Sequence, residues 1–532
     1  MKRRKFKKAS ALVISSMFLA SAFMFSSCSF TDTTVTTDDN HPVLPDYSTR
    51  AQEFDFFAYS GPMNGIFTVD GISENFNADQ RTKEGYETYK DAGFNVLMLT
   101  GTAGFQGGDW ATSECKRCWD AATEAGIDRI IVTDERFEKY VSDAPIVGEG
   151  LAFETQEDLV EYAKSVLEQY KGLSNFYGVR ITDEPTYKRT QSIGALYRAI
   201  KQAAKEMEIS DNLYIHLNLL PISNVFDRFA VYKPASNTDP EAVGVSTLGE
   251  AYESYIRGYI EACQADRLSS DVYLYRAQGL ACDFFSTVQI LKRVCDENNV
   301  DVSFCLQSFE MHNASGAVRN FRSVGKSEMK GELYALMGMG IDDFAYYTYQ
   351  FPEATSTGTP FVDGTNFLTR SGEKTNVYYA GQDVMAEAQV LSDVILNYEY
   401  QGGKFYKAEM AKFDNSFTTS SWDMTVSNTA AEWDNSHTFK SLKKVEIDND
   451  VAFVTELYDS ENDLYMYMLQ NIIDPMYSTQ GRTAETITAT FDSSYTYVAE
   501  FDNGNLRYVK LNNGVYSKKF AAGHAVYLVP LK

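Results

Sequence analysis

The sequence predicts an α/β fold: a (β/α)8 TIM barrel followed by a C-terminal all-β sandwich. Two observations carry this. Between about residues 52 and 398, short apolar runs alternate with amphipathic helical stretches, the pattern of successive parallel βα units. From about Lys404 onward the texture changes to alternating runs such as "VAFVTELYDS", "DLYMYMLQNI" and "HAVYLVPL", broken by Asp-Asn-Gly and Asn-Asn-Gly turns, which is the texture of antiparallel strands.

Taken in order, the barrel strands are expected at Glu53 to Ala58, Asn95 to Leu99, Arg129 to Thr133, Gly178 to Thr182, Leu213 to Leu217, Val272 to Arg276, Val302 to Leu306 and Asp343 to Tyr347. The helices between them show apolar residues at helical spacing, as in Ile193, Leu196, Ile200 and Ala203, or Val288, Leu291 and Val294. A chain of 532 residues exceeds one ordinary domain, and a barrel of about 250 residues or more with an accessory domain accounts for it. The expected plan is a signal peptide over 1–27, a flexible tether over 28–50, the barrel over 51–400 and the β-sandwich over 401–532.

The first segment has a basic start (Lys2, Arg3, Arg4, Lys5, Lys7, Lys8), an apolar stretch from Ala11 to Phe25, and small residues before Cys28, the three parts of an export signal. Phe25-Ser26-Ser27-Cys28 resembles the lipobox of bacterial lipoproteins, with Phe25 where Leu is usual. That resemblance implies lipid attachment at Cys28 and a place on the bacterial cell surface, facing outward; ordinary secretion with nearby cleavage is the alternative. The Thr- and Asp-rich stretch that follows reads as a tether. Losing the six positive charges of the signal takes the formal net charge from -25 to -31, which disfavours nucleic acid and anionic membrane surfaces as partners.

Six cysteines besides Cys28 are spread thinly, and Cys115-Lys116-Arg117-Cys118 is a single CxxC without a second pair at zinc spacing. A disulfide or two plain thiols fits it better than a metal site. The five histidines are widely separated and no HExxH occurs, so neither metal nor cofactor is expected.

In a barrel of this kind the active site lies at the C-terminal strand ends. The expected strand ends bring Tyr59, Asp134, Asp183 with Glu184, Asn218, Tyr275 with Arg276, Gln307 with Glu310 three residues on, and Tyr347. Glu184 and Glu310 supply carboxylates from strands four and seven, which face each other across the mouth. Glycoside hydrolysis uses such a pair, about 5 Å apart for retention and roughly 6.5 to 9.5 Å for inversion. The bland reading is that Asp183-Glu184-Pro185 starts a helix, with Glu in its first turn.

The stretches "FYGVRITDEP", "SFCLQSFE", "GELYALMGMGIDDFAYYTYQ" and "AAGHAVYLVPL" resemble the clan A glycoside hydrolases, in particular family 42 β-galactosidases and related bacterial lipoproteins with a DEP motif. The resemblance implies an exported hydrolase of poly- or oligosaccharides with a retaining mechanism, Glu184 as acid/base and Glu310 as nucleophile. Asp183, Tyr59, Asp134, Asn218, Tyr275, Arg276, Gln307 and Tyr347 are then expected to line the substrate site. Asp183 stands where the clan usually has Asn. A carbohydrate-binding surface lipoprotein that keeps the barrel without turnover is the alternative. A two-lobed solute-binding lipoprotein is disfavoured by the all-β C-terminal texture.

Overall fold

The structure, a computed structural model, describes residues 41–59, 61–69, 72–75, 79–222, 248–312, 319–350, 361–407, 413–414, 433–448, 451–477 and 484–532. The expected signal segment, Cys28, most of the tether and Ser60 lie outside the described residues.

Eight strands form the barrel: β1 (Asp55–Ala58), β2 (Leu97–Leu99), β3 (Ile130–Thr133), β4 (Phe176–Asp183), β5 (Tyr214–Leu219), β6 (Arg267–Asp271), β7 (Asp301–Gln307) and β8 (Asp343–Tyr347). They pair in parallel in the order β1-β8-β7-β6-β5-β4-β3-β2. The N–H groups of Asn95 and Val96, just ahead of β2, both donate to the carbonyl of Phe56 at 3.1 Å and close the ring. Among the described residues the longer helices after the strands are α1 (Lys83–Asp91), α2 (Glu114–Glu124), α3 (Gln156–Leu167), α4 (Thr190–Glu206), α5 (Leu248–Cys263), α6 (Phe284–Glu297), α7 (Lys326–Gly338) and α8 (Asn376–Ile395). The apolar residues expected on α4 and α6 are buried.

Strand six corrects the sequence reading. It runs over Arg267–Asp271, not Val272 to Arg276. The apolar alternation of "VYLYR" suggests a strand, whereas "RLSSD" carries little apolar signal, with Ser269, Ser270 and Asp271 among its five residues.

Period-2 alternation sorts the strand residues into two sets. Phe56, Ala58, Leu97, Leu99, Ile130, Val132, Val179 and Leu217 face the helices, whereas Phe57, Tyr59, Val96, Met98, Ile131, Tyr214, Cys305 and Ala345 fill the interior. The N-terminal end is plugged by buried charge. Arg267 pairs with Asp343 at 2.5 Å, Tyr177 donates to Asp55 at 2.8 Å, and Arg129 also pairs with Asp55.

The C-terminal region comprises β9 (Glu399–Tyr406), β10 (Leu442–Ile447), β11 (Ala452–Asp459), β12 (Leu464–Asn471), β13 (Glu485–Phe491), β14 (Tyr497–Asp502), β15 (Asn505–Lys510), β16 (Val515–Phe520) and β17 (Ala525–Leu531). A six-stranded antiparallel sheet, β9-β11-β12-β17-β14-β15, covers a three-stranded sheet, β10-β13-β16. Val454, Leu469, Val498 and Val526 of the larger sheet pack on Ile487, Phe491 and Phe520 of the smaller. Its opposite face, with Phe453, Met468, Phe501 and Tyr527, joins the core that continues into the barrel helices. Tyr527 donates to the carbonyl of Tyr334 on α7 at 2.8 Å, and Gln470 to that of Gly331 at 2.7 Å. Gly331 permits this approach, since a Cβ there would lie 3.2 Å from the Cα of Gly523, just ahead of β17.

Among the described residues Cys115, Cys118, Cys263, Cys282, Cys295 and Cys305 are buried and form no disulfide, and no helix is long and apolar enough to cross a membrane.

Candidate active site at the barrel mouth

Strand β4 shapes the mouth. Arg180 lies opposite His216 of β5, but Thr182 lies opposite the next residue, Leu217, so Ile181 is an extra residue on β4. Such a bulge re-aims the side chains beyond it. Here it brings Arg180 and Asp183, three apart in sequence, into an ion pair at 3.4 Å, while Asp183 sits opposite Asn218.

The chain then turns sharply at Glu184, whose φ of +41° lies in the left-handed region. That region costs a non-glycine residue about 1–2 kcal/mol, and a residue before proline is pushed towards extended backbone instead. Three hydrogen bonds hold the turn against this cost. Glu184 N–H donates to the Asn218 carbonyl at 2.9 Å, and Tyr255 and Tyr259 of α5 donate to the carbonyls of Pro185 and Thr186, each at 2.6 Å. Strained backbone that is over-determined by its surroundings is characteristic of functional sites.

Asp183 is the hub of a polar network. Its Oδ1 accepts from Asn218 Nδ2 at 2.9 Å and from the Tyr59 hydroxyl at 3.3 Å. Tyr59 in turn meets His216 Nε2 at 2.7 Å. Burial, reinforced by Arg180 and Arg267, holds the imidazole well below its ordinary pKa, so His216 is neutral. The Arg180 guanidinium lies 5.5 Å from the centre of the Tyr59 ring.

At the end of β6, Asp271 completes the group, and sequence reasoning missed it. The Tyr273 hydroxyl donates to its Oδ2 at 3.2 Å, whereas its buried Oδ1 has no partner among the described residues. Burial, then the charges of Glu184 and Asp183, push the Asp271 carboxyl well above the usual carboxylate range, with Tyr273 and Asn218 opposing. Asp183, Glu184 and Asp271 therefore form one electrostatic cluster that retains a proton. Beside it stands an aromatic wall: Tyr273 lies 4.8 Å from Phe309 and 5.9 Å from Tyr347, and Phe309 lies 5.5 Å from Tyr347.

Glu310 stands just beyond Phe309 in different company. Its Oε1 meets His312 Nε2 at 2.9 Å and Arg319 Nε at 3.0 Å, and its Oε2 accepts the Ser323 N–H at 3.1 Å. Burial works against ionisation, but these partners together outweigh it and hold the carboxyl below its usual range.

The other expected residues divide. Tyr59, Asn218 and Tyr347 stand with the cluster, and the charges of Asp183, Asp271 and Glu184 all act on Tyr347. Asp134 is fully enclosed, capping a single helical turn through Arg136 N–H and bonded to the Tyr170 hydroxyl at 2.7 Å. The buried Gln307 amide accepts from Tyr275 N–H and donates to the carbonyls of Tyr275, Phe309 and Arg322. Tyr275 is buried and donates to the Glu328 carbonyl at 2.8 Å. These three are buried and hydrogen-bonded within the protein. Arg276, beyond β6, stacks over Phe321 at 4.3 Å. Among the described residues no group of His, Cys, Asp and Glu has the arrangement of a metal site.

No protein-family model and no curated protein matches the chain. Solved structures similar to it include a GH30 endoxylanase from Clostridium papyrosolvens, at 12% identity and a TM-score of 0.41 over 91% of this chain and 97% of that one. An Anoxybacillus alpha-amylase is similar at 10% identity and a TM-score of 0.46, over 90% and 98% of the two chains. A glycoside hydrolase family 5 protein from Bacteroides vulgatus is similar at 12% identity and a TM-score of 0.40, over 90% and 89%.

Proposed function

We propose that the barrel mouth hydrolyses glycosidic bonds of an oligo- or polysaccharide, in a protein held outside the cell through a lipid at Cys28. The observation that carries this reading is the meeting of Asp183, Glu184 and a proton-retaining Asp271 at the C-terminal strand ends. Glycoside hydrolysis needs one carboxyl that gives a proton and another that stays ionised, and neighbouring carboxyls whose environments differ supply that division.

Glu184, presented by the strained turn, is the acid/base, and the proton it gives is the one shared among Asp183, Glu184 and Asp271. It protonates the departing oxygen as the C1–O bond breaks and the bonding pair leaves with that oxygen. Glu310 is the nucleophile, held as an anion by His312, Arg319 and the Ser323 N–H, which is the form that attack at C1 requires. Water then cleaves the glycosyl-enzyme with Glu184 taking its proton, so the outcome is retention. Tyr273, Phe309 and Tyr347 offer ring faces for the C–H surface of a sugar.

The test is incubation with a panel of polysaccharides and aryl glycosides, followed by NMR of the first-formed anomer. Retained product supports the reading. Inverted product removes Glu310 from the nucleophile role, and absence of product from every substrate rejects hydrolysis in favour of carbohydrate binding.

A further inference from the structure

The Tyr59 hydroxyl stands between two partners, His216 Nε2 at 2.7 Å and Asp183 Oδ1 at 3.3 Å, and has one proton to give. Its direction follows from the far side of the imidazole. His216 is 1% exposed, its ring is neutral, and its Nδ1 has no partner among the described residues. A neutral ring carries one N–H. With that hydrogen on Nδ1, Tyr59 donates to Nε2, a buried N–H goes unmet and Asp183 loses a donor. With it on Nε2, the ring donates to Tyr59, Tyr59 donates to Asp183, and only an acceptor is left bare. The second arrangement makes two hydrogen bonds where the first makes one, and one of the two ends on a carboxylate, which is the stronger kind.

The chain ends on Asp183, which meets donors on both oxygens: Tyr59 and Asn218 Nδ2 on Oδ1, and the Arg180 guanidinium at 3.4 Å on Oδ2. A proton on either oxygen would face one of these donors. The other carboxyls within reach of its charge are Glu184 on its own strand end, Asp271 of β6 and Glu138 after β3. From β1, β7 and β8, Tyr59, Cys305 and Tyr347 also face this group, and burial holds all three protonated. The carboxyls are therefore what titrates here, and hydrogen bonds to a carboxylate favour its charged form.

From this geometry we infer that Tyr59 and His216 are positioning residues: the buried imidazole aims the Tyr59 hydroxyl at Asp183, so that Asp183 is the anion of the cluster and the shared proton is confined to Glu184 and Asp271. The effect on turnover rests on the hydrolase reading; the direction of the chain does not. Asp183 then serves Glu184 by declining the proton that Glu184 must give. The bulge at Ile181, which sets Asp183 opposite Asn218, places it at the end of this chain.

Two measurements on the full protein test this. The first is nitrogen NMR of protein isotopically labelled in histidine alone, with His216→Phe identifying the signal of that ring. The hydrogen should sit on Nε2, with Nδ1 bare and the ring neutral between about pH 5 and 8. A hydrogen on Nδ1, or a ring that charges in that range, overturns the inference whatever the protein hydrolyses. The second is the pH dependence of kcat on the best glycoside found, for wild type and for Tyr59→Phe, which loses the hydroxyl and keeps the ring. With one donor gone, Asp183 competes for the proton. The plateau of kcat should fall about tenfold, as for one lost charge-assisted hydrogen bond, with little change in KM. The alkaline limb should move to higher pH, because the cluster then binds its proton more tightly. Unchanged kcat, or a fall with the limb unmoved or moved downward, overturns the inference and leaves the hydrolase reading standing. Turnover of no glycoside removes the hydrolase reading, and a Tyr59→Phe protein that does not fold removes the second measurement; in either case the wild-type ring spectrum decides the inference alone.

Discussion

The backbone N–H of Glu184 donates to the carbonyl of Asn218 at 2.9 Å, while Glu184 holds a φ of +41° ahead of a proline. One carboxylate at the mouth is thus presented by a strained turn fastened to the neighbouring strand, where ordinary strand geometry would have pointed it elsewhere.

Relief of that strain should be measurable. Glycine occupies the left-handed region at no steric cost, so Glu184→Gly should raise stability by about 1 kcal/mol, read from urea unfolding, while turnover disappears. A variant less stable than wild type would show that the side chain contributes more to folding than its backbone costs.

Tyr255→Phe removes the hydroxyl that donates to the Pro185 carbonyl at 2.6 Å. The buried carbonyl loses its partner at a cost of about 1–3 kcal/mol. If the turn positions Glu184, kcat should drop with little change in KM. Unchanged kcat in a folded variant would confine Tyr255 to a structural role.

Arg322, on the segment after β7, pairs with Glu328 at 2.7 Å and with the buried Asp474 of the β-sandwich. Removing one partner of a buried ion pair strands the other, at a cost of about 3–5 kcal/mol. Asp474→Ala should therefore lower stability by that order. The double variant Arg322→Met with Asp474→Ala should be less unstable than the sum of the two singles, because the facing charges leave together and only Glu328 loses its partner. A double variant as unstable as the sum of the singles would contradict this.

Glu332 of α7 is buried beneath the site and accepts the N–H groups of Gln307 at 3.1 Å and Leu274 at 3.3 Å. Burial raises its pKa from 4.5 to about 8, the two backbone donors opposing. Between these values the folded state holds a proton that the unfolded state has released, so the contribution to stability is full below pH 4.5 and declines up to pH 8. It amounts to about a few kcal/mol. Stability measured across that window should fall less steeply in Glu332→Gln than in wild type; parallel curves would refute the assignment.

Seven of the eight barrel strands were legible within a few residues, because their outward faces are apolar and repeat with the helices. Strand six was not. Ser269 and Asp271 face a polar interior, so the strand lacks the apolar signature that its neighbour Val272 to Arg276 carries by chance. Asp271 was missed for that reason, and Tyr275 and Arg276 were placed on a strand they follow. Asp183 and Glu184 were visible as a strand end, but the bulge at Ile181 that turns Asp183 inward leaves no mark in the sequence. Neither do the two faces of the larger C-terminal sheet, since "HAVYLVPL" reads as apolar throughout when one face meets the sandwich core and the other the barrel.

The central claim is that Glu184 performs proton transfer at the mouth. The most direct measurement compares kcat of wild type and Glu184→Gln on the best glycoside found in the panel, at equal concentrations of folded protein. The account predicts a loss of about 10²–10⁴-fold, the usual contribution of a positioned acid or base. Equal turnover in the two proteins would contradict it.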